Sequence, residues 1–174
     1  MGNLVEGRVD VCDLQWVDIS PELLRAFALK PGDLLFNRTN SEKLVGKTAL
    51  FALDGTFVFA SYLIRLDCDS NLVVPHFLNA FLNRENILTR VRALATRGVS
   101  QSNISASKLA RFSIPTPPIA EQELIAEVLT ACDRKIHALK RELEHFEEFF
   151  NAALHELMEG KLSAHPLVAE DTLQ

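Results

Sequence analysis

Pro118-Ile119-Ala120-Glu121-Gln122-Glu123-Leu124-Ile125 opens a stretch that continues to Met158 without Gly or Pro. Apolar residues recur along it at Ile125, Leu129, Cys132, Ile136, Leu139, Leu143, Phe146, Phe150, Ala153 and Leu157, in steps alternating between four and three. That is the a/d spacing of a coiled coil. A helix of about 40 residues rises roughly 60 Å at 1.5 Å per residue, more than a chain of this size buries on itself. The spacing therefore predicts a long coiled-coil helix over residues 118–160 whose seam, Ile125 to Leu157, needs a partner helix. Cys132, on that seam, reads as a small packing residue.

Upstream of this helix, Pro115-Thr116-Pro117-Pro118 is a stiff hinge, because each proline fixes its own backbone angle. Downstream of Gly160 the seam is lost, and residues 161–174 form a tail expected to fray. Residues 1–117 then make the head, which reads as an α+β domain. Ser20-Pro21-Glu22 starts a brief helix with Ser20 as its cap, ending near Phe27 before the turn Lys30-Pro31-Gly32-Asp33. Strands are expected at Asp13–Asp18, Asp33–Asn37, Thr48–Leu53, Phe57–Ala60 and Tyr62–Leu66, with Asp54-Gly55 as a hairpin turn. Pro75–Leu82 and Glu85–Ala95 read as helices, the second with an apolar stripe of Ile87, Leu88, Val91, Leu94 and Ala95. A short element at Ser105–Leu109 and a strand at Phe112–Ile114 close the head. The chain has no internal repeat.

The 174 residues are 48% hydrophobic and 24% charged, which suits one globular domain with an appendage and excludes a disordered chain. No apolar run reaches the ~18 residues of a membrane span, and the N-terminus lacks the basic start and apolar block of a secretory signal. Cys12, Cys68 and Cys132 are odd in number and far apart, so they read neither as a disulfide framework nor as a zinc site. A reducing, cytoplasmic setting follows as the expectation.

The net charge of −5 argues against a nucleic-acid partner until its distribution is read. Residues 1–115 hold 13 basic and 11 acidic side chains, and residues 116–174 hold 5 and 12. The acidity belongs to the long helix and tail. Within the head, Arg84, Arg90, Arg92, Arg97, Lys108 and Arg111 gather in a stretch whose only acid is Glu85, a local basic zone.

Catalytic and cofactor motifs are missing from the pattern. Gly46-Lys47-Thr48 imitates the end of a phosphate-binding loop, but position 41, where that loop needs glycine, is Ser41, and Thr48 begins an expected strand rather than a helix. The histidines His76, His137, His145, His155 and His165 have no ligand-spaced neighbours, so no metal site is expected. Glu147-Glu148 lies on a solvated helix, poor ground for acid–base work. Two loops remain. Asn37-Arg38-Thr39-Asn40-Ser41 and Arg97-Gly98-Val99-Ser100-Gln101-Ser102-Asn103 each place an arginine beside amides and hydroxyls. Arginine can hold phosphate or read guanine, and Asn or Gln can read adenine. The same residues also make ordinary polar turns.

The order of four stretches carries a resemblance. They are Leu29-Lys30-Pro31-Gly32-Asp33-Leu34-Leu35-Phe36-Asn37-Arg38-Thr39-Asn40-Ser41, Leu44-Val45-Gly46-Lys47-Thr48-Ala49, Arg97 through Ser105, and Ile114-Pro115-Thr116-Pro117-Pro118-Ile119-Ala120-Glu121-Gln122. Together, over roughly residues 8–160, they resemble the specificity subunit of type I restriction-modification systems. The resemblance implies a mixed α/β target-recognition head that contacts one half of a split site in double-stranded DNA. It further implies a spacer helix pairing antiparallel with the helix of another half. Modification subunits, carrying adenine methyltransferase chemistry with S-adenosylmethionine, would dock on this scaffold, and restriction subunits using ATP and Mg could join. The specificity subunit has no active site and no cofactor of its own. Members of that family usually carry two recognition domains and two spacer helices, and this chain carries one of each with a short N-terminal part. It reads either as a half-subunit that dimerises through its helix or as a piece of a split or truncated gene.

On this reading Arg38, Lys47, Arg97 and Lys108 anchor phosphates or guanines. Asn40, Ser100, Gln101, Ser102 and Asn103 read bases, and Thr39 and Ser41 support the first loop. The alternative is a protein–protein scaffold of the same complex, in which the coil is the working part and the head docks a methyltransferase subunit without reading DNA.

Overall fold

The computed structural model describes residues 2–163, so most of the expected tail, with His165, lies outside the described residues. The chain divides into two compact units, one through Val128 and one from Leu129 on.

The first unit is built on a five-stranded sheet in the order β1 (Leu4–Val5), β2 (Arg8–Val9), β5 (Thr48–Leu50), β3 (Leu34–Asn37), β6 (Leu63–Leu66). Strands β1 (Leu4–Val5) and β2 (Arg8–Val9) form a hairpin. Its two loop residues, Glu6 and Gly7, both take positive φ, at 47° and 77°, as a two-residue turn matched to strand twist demands. The strand expected at Asp13–Asp18 does not form. Trp16 and Val17 are exposed there, so the stretch has no buried face for an alternating pattern to serve. Helix α1 (Pro21–Phe27) starts as its sequence dictates, with the Ser20 hydroxyl accepting from the Leu23 amide.

The centre is β3 (Leu34–Asn37), buried at every residue. Its alternation sends Leu34 and Phe36 into one apolar cluster and Leu35 into another on the opposite face, which is why it reads as a continuous apolar run. Strands β5 (Thr48–Leu50) and β6 (Leu63–Leu66) take its two edges, both antiparallel. This overturns the expected hairpin at Asp54-Gly55. β5 pairs with β3, through Leu35 and Ala49 among others, and β2 lies parallel on its far side. The segment after β5 crosses over to the other edge of β3. On the way Phe57 packs edge-on against Phe51, and Val58 makes only a single bridge with Ala28. Filling both edges of the central strand buries more backbone polar groups in ladders than a local hairpin would.

Helices α2 (Pro75–Leu82) and α3 (Glu85–Arg92) cover the larger cluster with Phe77, Leu78, Phe81, Leu82, Ile87 and Val91. α3 stops at Arg92, short of the expected Ala95. Two asparagines of α2 reach the sheet. Asn83 exchanges hydrogen bonds with the backbone of Thr48 in β5, and Asn79 donates to the Gly7 carbonyl at 2.8 Å. The expected strand at Phe112–Ile114 is absent. Phe112 and Ile114 instead pack singly against the core, leading into prolines that can offer a ladder no N–H.

Helix α5 spans Ile119–Met158. Its first turns belong to the first unit, where Gln122 is wholly buried and Ala126 nearly so. The Gln122 side chain accepts from the Val74 amide at 2.9 Å and donates to the carbonyls of Leu72 and Pro117 at 3.1 and 2.8 Å. One side chain thus satisfies three backbone groups and ties the proline hinge to the approach to α2. Along the second unit, residues Ile136, Leu139, Leu143, Phe146 and Phe150 of the expected seam are exposed. Among the described residues no helix is long and apolar enough to cross a membrane.

Candidate nucleic-acid interface

The two polar loops, some 60 residues apart in sequence, come together in a second sheet. Strand β4 (Thr39–Asn40) pairs antiparallel with β8 (Ser102–Asn103), which pairs antiparallel with β7 (Thr96–Arg97). The register sets Thr39 opposite Asn103 and Asn40 opposite Ser102, with Arg97 on the far side of Ser102. The Ile104 amide donates to the Arg38 carbonyl at 2.8 Å and extends the ladder by one step.

Each candidate side chain has a distinct place in this sheet. Asn40 and Ser102 are buried, at 8% and 4% exposure, and Asn40 Oδ1 accepts from the Ser41 amide to start the next turn. Asn103 donates its amide to Thr39 Oγ1 at 2.6 Å, while its Oδ1 lies 3.5 Å from the Arg38 guanidinium. Arg38 is half-buried, and its Nε is enclosed without a partner. Arg97, Ser100 and Gln101 are exposed at the β7–β8 turn. That turn is closed by the Gly98 amide donating to the Gln101 carbonyl at 2.8 Å. A Cβ at Gly98 would lie 2.8 Å from that same oxygen, so the position has room only for glycine.

Ser41 opens the turn that leads to Gly46, its carbonyl accepting from the amides of Leu44 and Val45. Gly46 sits at φ 90°, and a Cβ there would come 3.2 Å from Val91. Lys47 is half-buried beside it, its carbonyl accepting from the Asn37 amide. Gly46-Lys47-Thr48 therefore leads into strand β5 and lacks the helix that a nucleotide-binding loop would start. Lys108, in α4 (Ala106–Leu109), donates to the Leu94 carbonyl at 3.0 Å and to Thr96 Oγ1 at 3.1 Å, bracing the entry to β7 while remaining exposed.

Sequence reasoning passed over three contributors. Glu42 holds Arg97 in an ion pair at 2.5 Å, which joins the first loop to the second. Arg92 donates to the carbonyls of Lys43 and Val45 and pairs with Glu85, so it locks the first loop onto α3. Arg90 lies over the Phe112 ring at 5.2 Å and lines a groove with Lys108 and Arg111. The basic run was visible in the sequence, but no local spacing separates the bracing Arg92 from the exposed cations. Among the described residues no cluster of His, Cys, Asp or Glu could hold a metal ion.

A cationic and amide-rich sheet, carried on a small α+β unit and followed by a long helix, has clear relatives. Residues 15–147 match the family described as type I restriction modification DNA specificity domain. The chain belongs to that family. It is similar to a Methanocaldococcus jannaschii protein provisionally named the type I restriction enzyme MjaX specificity subunit, 30% identical over 141 residues that cover 80% of this chain and 33% of that one. It is also similar to the EcoKI specificity subunit of Escherichia coli K12, 26% identical over 168 residues, and to the StySPI specificity subunit of Salmonella potsdam, 25% identical over 168 residues. Each of the latter two alignments covers 92% of this chain and 35% of the relative. The chain thus spans about a third of the length of the curated relatives it matches.

Proposed function

We propose that this chain is a non-catalytic DNA-recognition subunit of a type I restriction-modification complex. The β4–β8–β7 sheet reads one half of the target site, and α5 serves as the dimerisation spacer. The observation that carries this reading is the convergence of the two polar loops in one sheet, with exposed hydrogen-bonding side chains at its turn. Arg97, Ser100 and Gln101 present donors and acceptors of the kind that meet base edges. Ser41, Lys47 and Lys108 flank them where backbone phosphates would lie. Asn40, Ser102, Asn103, Thr39 and Arg38 act mainly as the frame, because their polar groups are buried or engaged within the sheet. The partners of this reading are double-stranded DNA, modification subunits that bring S-adenosylmethionine and the methyl-transfer chemistry, and restriction subunits that bring ATP and Mg-dependent cleavage.

The test is selection of duplexes from a randomised DNA library by the purified chain, with and without modification subunits. Enrichment of a half-site whose base preference changes on Gln101→Ala supports the reading. Binding that modification subunits achieve equally well without this chain, with no enriched bases, would refute it.

A further inference from the structure

The β7–β8 turn carries a residue that neither the turn nor the core requires. Val99 is fully solvated, at 111% exposure, the highest of any large apolar side chain among the described residues. It belongs to neither apolar cluster. A tight turn does not call for it either. Such positions suit Gly, Pro, Asn, Asp and Ser, whereas a β-branched side chain is stiff and prefers extended strand. Single apolar residues on a surface are ordinary, but this one departs from the local rule for burial and from the local rule for turns at once. Departures of that kind concentrate where function is built.

Its setting limits what can cover it. The turn is closed by the Gly98 amide on the Gln101 carbonyl, and its base is fixed. Lys108 donates to Thr96 Oγ1, Glu42 pairs with Arg97, and β8 pairs with β4. A stiff side chain on a fixed base has little freedom left to lose on contact. Around it Arg97, Ser100 and Gln101 are exposed. An apolar protein surface laid over Val99 would bury those donors and acceptors without partners, which costs more than contact with one valine contributes. The major groove of DNA suits both kinds of group. Its base edges offer donors and acceptors, and thymine adds an apolar group, its C5 methyl. We infer that Val99 packs on the C5 methyl of one thymine in the half-site, beside the bases met by the hydrogen-bonding side chains of the same turn. The inference rests on the proposed base-reading role of the β4–β8–β7 sheet and adds a specificity-determining residue and the base it selects.

Uracil is the probe, because it lacks only that methyl and keeps every hydrogen-bonding group of thymine. The full chain, with modification subunits, is titrated with the half-site it enriches from the randomised library, and with duplexes carrying uracil in place of each thymine in turn. At one position uracil is expected to weaken binding about fourfold, the effect of one methyl group taken out of water. Val99→Ala and Val99→Ser are expected to bind the thymine and uracil duplexes equally at that position. Both should keep the wild-type melting temperature, since the side chain supports nothing in the fold. A half-site in which no uracil weakens binding, or a thymine preference that survives in both variants, would overturn the inference and leave the sheet's role in reading DNA in place. So would a wild type that distinguishes the two bases nowhere yet loses affinity for both alike on Val99→Ala. Failure to enrich any half-site would overturn the base-reading role itself, and the inference with it.

Discussion

Asn103 donates its side-chain amide to Thr39 Oγ1 at 2.6 Å, across 64 residues of sequence. The bond joins β8 to β4 at the point where their backbones are in register, and it turns two polar loops into one surface. Hydrogen bonding between paired strands is cooperative with side-chain ties of this kind, because each removes freedom the other would have to remove.

Asn103→Ala is expected to cost about 1–3 kcal/mol, since it also leaves the half-buried Arg38 guanidinium without its acceptor. Thr39→Val should cost less, and the pair should be non-additive in a double-mutant cycle read by urea denaturation. Full additivity would show that the tie contributes nothing of its own.

Gln122 predicts a larger effect. Gln122→Ala strands the Val74 amide and two carbonyls in a buried place, so a loss of about 3 kcal/mol or more is expected. Gln122→Glu should rescue little, because a carboxylate cannot donate to the carbonyls of Leu72 and Pro117. Amide hydrogen exchange at Val74 is the direct readout. An unchanged protection factor in Gln122→Ala would remove the clamp from consideration.

Gln101 and Asn40 should separate binding from stability. Gln101 is exposed and Asn40 is buried. Gln101→Ala should leave the melting temperature unchanged and relax base choice at one position by about 1–3 kcal/mol if its contact is bidentate. Asn40→Ala should lower the melting temperature first. Lys47→Ala should weaken all sequences alike and reduce the salt dependence of binding by about one phosphate's worth. Equal loss on every sequence for Gln101→Ala would strike it from the base readers.

The three thiols should also differ. Burial pushes the Cys68 thiol above its ordinary range, and the Asp67 and Asp33 carboxylates push it further. A thiol raised in the folded state stays protonated longer, so its contribution to stability is complete below the unfolded pKa and is lost as pH rises through the folded one. Cys68 should therefore react last with iodoacetamide in the native chain at mildly alkaline pH, and should catch up in denaturant. Mass-spectrometric labelling kinetics decide this, and a Cys68 that labels as fast as exposed Cys132 would contradict it.

Much of this molecule is written in local chemistry. Ser20 and Pro21 mark a helix start by themselves, the apolar run of β3 announces a strand buried on both faces, and the four-three alternation from Ile125 to Leu157 specifies a helix without reference to anything else. Such signals are legible because their cause lies within one or two turns of chain. The sites of contact were less so. Arg97 and Gln101 were recognisable as polar turn residues, but nothing nearby in the sequence sets Arg97 beside Glu42, or distinguishes the exposed Gln101 from the buried Asn40.

The sequence alone determined the long helix, the four-three spacing of its apolar residues and the local basic zone of the head. Only the tertiary structure decided that β5 and β6 flank β3 instead of pairing with their sequence neighbours, and that the two loops share a sheet. It alone made Gln122 the buried clamp of the hinge. Periodicity is a property of consecutive residues, whereas strand pairing and buried hydrogen bonds depend on which distant backbone groups are left needing a partner once the core has closed.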